Sequence, residues 1–228
     1  IFAINMPLFQ NSISSKLPRV GTSIFTEMSH MANQYKAINL SQGFPDFDVD
    51  KELIKLVEKY LNKGIHQYAP MQGAMPLREA ISQKIQLQHE ISYDPNSEIT
   101  ITAGATQAIF TAISAFVKEE DEVIIFTPAY DCYEPTIELN GGRPVFVQLK
   151  SPDFKINWEE VKKLISQRTK MIIINTPHNP TGKTLEEHDL KELEKITKDS
   201  EIIILSDEVY EHIIFDDKPH QSICKYPE

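Results

Sequence analysis

From Pro95 onward the sequence alternates short β-branched runs with longer amphipathic ones. Residues 98–102, 122–126, 144–149, 170–175 and 201–206 have strand length and composition, and a further short strand is expected at 211–215. Helices are expected from Gly104 to about Val117, over 133–139 with Pro135 in the first turn, over 158–166 behind the cap Asn157, and over 185–198. Strand–helix units in series make a mostly parallel sheet with helices on both faces, an α/β fold. In such sheets ligands bind beyond the carboxyl ends of the strands. The residues that close each run are therefore the first candidates for chemistry.

Two closures fall together. The run 172–174 passes into Asn175-Thr176-Pro177-His178-Asn179-Pro180-Thr181-Gly182, and the run 202–206 ends at Asp207-Glu208-Val209-Tyr210. Alone, Asn179-Pro180 reads as a tight turn, with Asn chosen for its local backbone bonds. Side by side, the two ends offer an amide, a carboxylate and a phenol to one crevice. Gly104-Ala105-Thr106 lies where a strand turns into a helix N-terminus, whose free N–H groups and positive dipole end suit an anion. An ordinary helix start reads the same way. Neither G-x-G-x-x-G nor G-x-x-x-x-G-K-[ST] is present. Tyr130, after Pro128, closes another strand, either as a core-edge aromatic or as a flat plate for a planar ring. A phosphate cradle, an aromatic plate, an amide, a carboxylate and a phenol on one edge suit a phosphorylated heteroaromatic cofactor better than a nucleotide.

Residues 1–50 read as an N-terminal arm and part of a small domain, with a helix expected within 20–35; residues 51–228 read as an incomplete large domain. Asp50 is the expected cap of a helix to about Asn62, with Leu53, Leu56, Val57, Tyr60 and Leu61 on one face. A second amphipathic helix is expected over 75–90, with Leu77, Ile81, Ile85 and Leu87 mostly inward. Gly43, just ahead of Phe44-Pro45, allows close backbone approach or serves a plain turn. The chain starts at Ile1, and Met6 is a candidate natural start. The polar turn that ends at Glu228 suggests an N-terminal portion of a longer protein.

A net charge of −10 over 228 residues disfavours nucleic acid and anionic membrane as partners. The two cysteines and seven histidines show no metal-type spacing, so no metal is expected. So few cysteines fit a reducing, cytoplasmic compartment. No apolar run is long enough to span a bilayer.

With these motifs in this order, the sequence resembles the class I/II pyridoxal-phosphate-dependent aminotransferases, which have the aspartate-aminotransferase fold (fold type I, large domain). The matching stretches are Ser41-Gln42-Gly43-Phe44-Pro45-Asp46, Thr102-Ala103-Gly104-Ala105-Thr106, Pro128-Ala129-Tyr130-Asp131-Cys132-Tyr133, 175–182 and Ser206-Asp207-Glu208-Val209-Tyr210. The wording around Gly43 and Tyr130 is similar to the methionine and kynurenine aminotransferase branch. The resemblance implies pyridoxal 5'-phosphate as cofactor. Gly104, Ala105 and Thr106 would hold its phosphate, Tyr130 would stack on its ring, and Asp207 would pair with the protonated ring nitrogen. Asn179 and Tyr210 would hydrogen-bond the ring phenolate, Asp207 and Tyr210 being the catalytic pair. Gly43 and Asn179 would meet the substrate. Tyr68 would reach across a homodimer interface to the partner's phosphate.

The implied reaction moves an amino group between an amino acid, methionine or another large apolar or aromatic one, and a 2-oxo acid. A carbon–sulfur β-lyase on the same scaffold is one alternative, and a non-catalytic regulator or inert fragment is another. The family's Schiff-base lysine and substrate-carboxylate arginine are expected after residue 228. Lys218 and Lys225, the lysines that follow Asp207, lack the lysine's serine-containing context and read as solvated turn residues.

Overall fold

The computed structural model describes residues 15–18, 20–43 and 45–226. The candidate start Met6, the first 14 residues of the expected arm and Phe44 of the Gly43 turn lie outside the described residues. Three helices come first: α1 (Ile24–Tyr35), α2 (Lys51–Asn62) and α3 (Met75–His89). A strand–helix series follows: α4 (Ala105–Phe116), β1 (Glu122–Thr127), α5 (Tyr133–Leu139), β2 (Arg143–Gln148), α6 (Trp158–Leu164), β3 (Thr169–Asn175), α7 (Glu187–Thr197) and β4 (Ile203–Asp207). All four strands run parallel, in the order β2-β1-β3-β4. The expected helix-flanked parallel sheet is what forms. No described helix is long and apolar enough to cross a membrane.

Successive strand side chains point to opposite faces, and the two central strands are apolar on both. Ile124 and Phe126 of β1 join Ile172 and Ile174 of β3 in one core, packed against Trp158 and Val161 of α6 and Leu190 and Leu193 of α7. Val123 and Ile125, with Met171 and Ile173, face the other way, onto Ile109 and Ile113 of α4 and Tyr133 and Ile137 of α5. Each side chain so buried contributes about 1.5–3 kcal/mol. Local chemistry sets the helix starts. Asn157 caps α6, accepting from the Glu160 N–H at 3.3 Å. Glu186 and Asp189 form a reciprocal capping box on α7, and the Trp158 indole N–H donates to Asp189 at 2.9 Å, fastening α6 to α7.

Two expected strands do not form. Residues 98–102 alternate polar and apolar, but the backbone before them closes on Asp94, whose carboxylate accepts from the Asn96 N–H at 2.9 Å and the Ser97 hydroxyl at 2.8 Å. The long-range backbone bond of the stretch itself runs from Ile101 N–H to the Gln72 carbonyl at 2.9 Å. Residues 211–215 also lack a partner strand; the chain turns there, with Glu211 N–H on the Glu208 carbonyl at 3.0 Å and Ile213 N–H on that of Tyr210 at 2.8 Å.

Of the early helices, the α2 reading holds and the α3 reading changes. The α2 residues Leu53, Leu56, Val57, Tyr60 and Leu61 do share a face, with Ile65, yet all remain exposed in the described structure. In α3, Leu77 and Leu87 point outward instead of inward. The opposite stripe is anchored: Arg78, which is buried, donates to the Pro95 carbonyl at 2.6 Å, and the Ser82 hydroxyl donates to that of Tyr93 at 2.5 Å.

Candidate active site

Parallel direction sets the carboxyl ends of β1, β3 and β4 along one edge, and register levels the last two, with Asn175 opposite Asp207. Asn175 is buried and bonds both ways. Its Nδ2–H donates to the Asp207 carbonyl at 2.9 Å, and its Oδ1 accepts from the Asn179 N–H at 2.7 Å. The Thr176 N–H donates to the same Asp207 carbonyl at 3.0 Å. The loop then closes on itself, with Gly182 N–H on the His178 carbonyl at 2.7 Å and His178 N–H on that of Lys183 at 2.8 Å. Asn179 and Asp207 thus belong to one braced unit.

Asp207 as a residue is 8% exposed. The Tyr133 hydroxyl donates to its Oδ2 at 2.6 Å, and the Val209 N–H donates to Oδ1 at 3.3 Å. Among the described residues no Lys, Arg or His forms an ion pair with it. A buried carboxylate is costly unless a cation and hydrogen bonds compensate it. Asp207 is therefore a candidate acceptor for a cationic group. Burial, reinforced by the bond to Asp207 and its charge, pushes the Tyr133 phenol far up, so it keeps its proton and is the donor. Burial likewise pushes the Cys132 thiol up to about 12, with Asp131 and Asp207 adding to the effect, so this cysteine stays neutral.

Tyr130 meets the Tyr133 ring edge-on, centroids 5.8 Å apart at 74°, and its hydroxyl lies 3.4 Å from Thr106 Oγ1 at the start of α4. Gly104 caps that helix with φ +93° and ψ 162°, a region essentially reserved for glycine. No side chain caps the first turn of α4, and a Cβ at Gly104 would meet nothing within 4 Å. The N–H groups at a helix start have no intrahelical partner. Ala105, Asp207 and Val209 line one cleft between α4 and β4.

The remaining candidates lie as follows. Tyr210 lines a neighbouring groove with Pro177, His178 and Gly182. Gly43 is exposed, with open space where a side chain would be. Tyr68 is 100% exposed and touches none of these residues. Lys218 and Lys225 are exposed, as expected.

Sequence reasoning passes over Tyr133, Asn175, Glu208 and His220 as site-building residues. Glu208, the residue after Asp207, accepts from the Ser206 and Ser222 hydroxyls at 2.7 and 3.1 Å and lies 2.6 Å from His220 Nε2. Burial pushes the Glu208 carboxyl up, but the hydrogen bonds of His220, Ser206 and Ser222 outweigh it and leave the group below its ordinary value. A carboxyl depressed in the fold stabilises above its unfolded value, about 4.3 for Glu, and loses that contribution as pH falls through the folded one. The urea midpoint of the native protein is expected to drop steeply below about pH 4, and the Glu208→Gln midpoint less so. Parallel acid limbs would remove Glu208 from this role.

The family model for aminotransferase class I and II matches residues 35–227. The chain is 46% identical over 224 residues to a methionine aminotransferase of Escherichia coli, a match covering 98% of this chain and 57% of that enzyme. It is 40% identical over 215 residues to an aspartate aminotransferase of Pyrococcus abyssi, covering 93% and 55% respectively. A crystal structure of an Escherichia coli protein with methionine aminotransferase function matches at a TM-score of 0.92 and 46% identity, over 95% of this chain and 57% of that one. This chain thus spans little more than half the length of these relatives.

Proposed function

Because the chain belongs to the class I and II aminotransferase family, we propose that the whole protein moves an amino group between an amino acid and a 2-oxo acid with pyridoxal 5'-phosphate. Methionine or another large apolar or aromatic amino acid is the proposed donor, in line with the 46% identity to a methionine aminotransferase. The observation that carries the reading is Asp207: a buried carboxylate at a strand end, hydrogen-bonded at both oxygens, with no protein cation beside it among the described residues.

The residues fit that cofactor. Asp207 suits a protonated ring nitrogen, and the uncapped start of α4, with open space at Gly104, suits a phosphate. Gly104, Ala105 and Thr106 would hold the phosphate through main-chain N–H groups and a hydroxyl. Tyr130 would cover the ring. Asp207 would keep the proton on the ring nitrogen by opposing its charge. Asn179 and Tyr210 would hydrogen-bond the ring phenolate oxygen, and Gly43 and Asn179 would approach the substrate carboxylate. Bound there, the cofactor supplies an electron sink for the amino-acid Cα. The assembly proposed is a homodimer, with residues 1–50 serving as arm and part of a small domain and 51–228 as part of the large one. A cytoplasmic location fits the two free cysteines, Cys132 and Cys224.

The test is the whole protein supplied with pyridoxal 5'-phosphate, methionine and 2-oxoglutarate. Glutamate and the 2-oxo acid of methionine are expected to appear in equal amounts. Pyruvate and ammonia released from a cysteine conjugate, without any amino transfer across an amino-acid panel, would assign the lyase instead.

A further inference from the structure

We propose that Tyr133 is the positioning residue for Asp207, its buried phenol fixing the rotation of the carboxylate that the ring nitrogen meets. The inference rests on the reading of Asp207 as the partner of that nitrogen. A carboxylate at the end of a strand turns easily about its last torsion, which is broad and roughly two-fold. Two donors oppose that turning here. The Val209 N–H reaches Oδ1 at 3.3 Å, while the Tyr133 hydroxyl reaches Oδ2 at 2.6 Å. The second is within the short range of a charge-assisted O–H···O⁻ bond and is the stronger hold.

Tyr133 is also a rigid donor. It is 3% exposed and packs among Ile109, Ile113, Ile125 and Ile137. It opens α5, so its backbone is fixed by helix geometry. Its ring meets the edge of Tyr130. One side chain therefore couples the aromatic plate to the acid. The contact joins residues 74 positions apart, so it depends on the packing of α5 against the sheet. Each carboxylate oxygen has two lone-pair directions, which leaves Asp207 free to accept from a ligand while Tyr133 holds it.

The experiment uses the whole protein loaded with pyridoxal 5'-phosphate labelled with 15N in the ring. Three proteins are compared: wild type, Asp207→Asn and Tyr133→Phe, the last keeping the ring and its edge contact. Tyr133→Phe is expected to retain cofactor affinity and KM for methionine, and to lower the single-turnover rate about ten- to a hundredfold. Its 15N resonance is expected to move from the wild-type position toward that of Asp207→Asn. A lower melting temperature with wild-type rate and resonance would make Tyr133 merely structural and overturn the proposal. A wild-type resonance in Asp207→Asn would instead overturn the reading of Asp207 itself. Should Tyr133→Phe fail to fold, 3-fluorotyrosine at position 133 keeps the donor but makes it more acidic. An unmoved resonance and rate in that protein overturn the proposal equally.

Discussion

Asp207→Ala in the whole protein is expected to lower the single-turnover rate with methionine by on the order of a hundred- to a thousandfold, while the cofactor still binds. Removing one preorganised group that stabilises developing charge in a water-poor site costs about that much. Asp207 fits the description, being 8% exposed and held at both carboxylate oxygens. Binding is expected to survive because the phosphate cradle proposed at the start of α4 comes from other residues. The variant has a structural cost as well. The Asp207 carbonyl keeps its donors Asn175 and Thr176, so the strand end stays tied. The Tyr133 hydroxyl, however, loses its acceptor inside the core, a penalty of about 1–3 kcal/mol. Asp207→Asn separates the two effects, because its amide oxygen can still accept from Tyr133 while the charge is gone. It is expected to lose nearly as much rate and much less stability. Rates within tenfold of wild type in both variants would take Asp207 out of the mechanism.

How much of this site is readable in the sequence depends on where each residue's partners lie. β1 and β3 are legible because a strand buried on both faces is apolar at successive positions through its middle. That signature is local, as are the caps Asn157 and Asp50. Asp207 is legible because it closes an apolar run, and Asn179 because it sits in the Pro-bounded loop after one; register then places the ends of β3 and β4 level. Tyr133 is not legible in the same way. Its sequence neighbours mark only a short helix start, and what gives it a role is a carboxylate 74 residues away. Asn175 looks like the last residue of a strand until its amide is seen bonded to two backbones. The misread stretch 98–102 shows the opposite failure. Polar–apolar alternation reports a half-buried extended segment, and an extended segment becomes a strand only when another strand lies beside it. Leu53 and Leu56 teach a related lesson about α2: periodicity identifies an apolar face without saying what covers it.

Assembly gives the other large effect. Tyr68→Phe in the whole protein is expected to weaken cofactor binding by about one to two decades, as befits a hydrogen bond to a charged group worth roughly 1.5–3 kcal/mol. Within this chain Tyr68 touches none of the cofactor-site candidates and is fully exposed. A phenol that binds phosphate from such a position would have to do so in another copy of the chain. Subunit mixing distinguishes that arrangement from a role within one chain. Tyr68→Phe subunits are allowed to exchange with subunits that lack the family's cofactor-anchoring lysine. If Tyr68 acts across the interface, the mixed dimer gathers both lesions at one site and leaves the other intact. If it acts within its own chain, every site carries one lesion. Wild-type cofactor affinity at one site per mixed dimer is the expected result. Its failure to appear, once exchange is verified by mass, would place Tyr68 outside the partner's site and remove the main support for a shared active site.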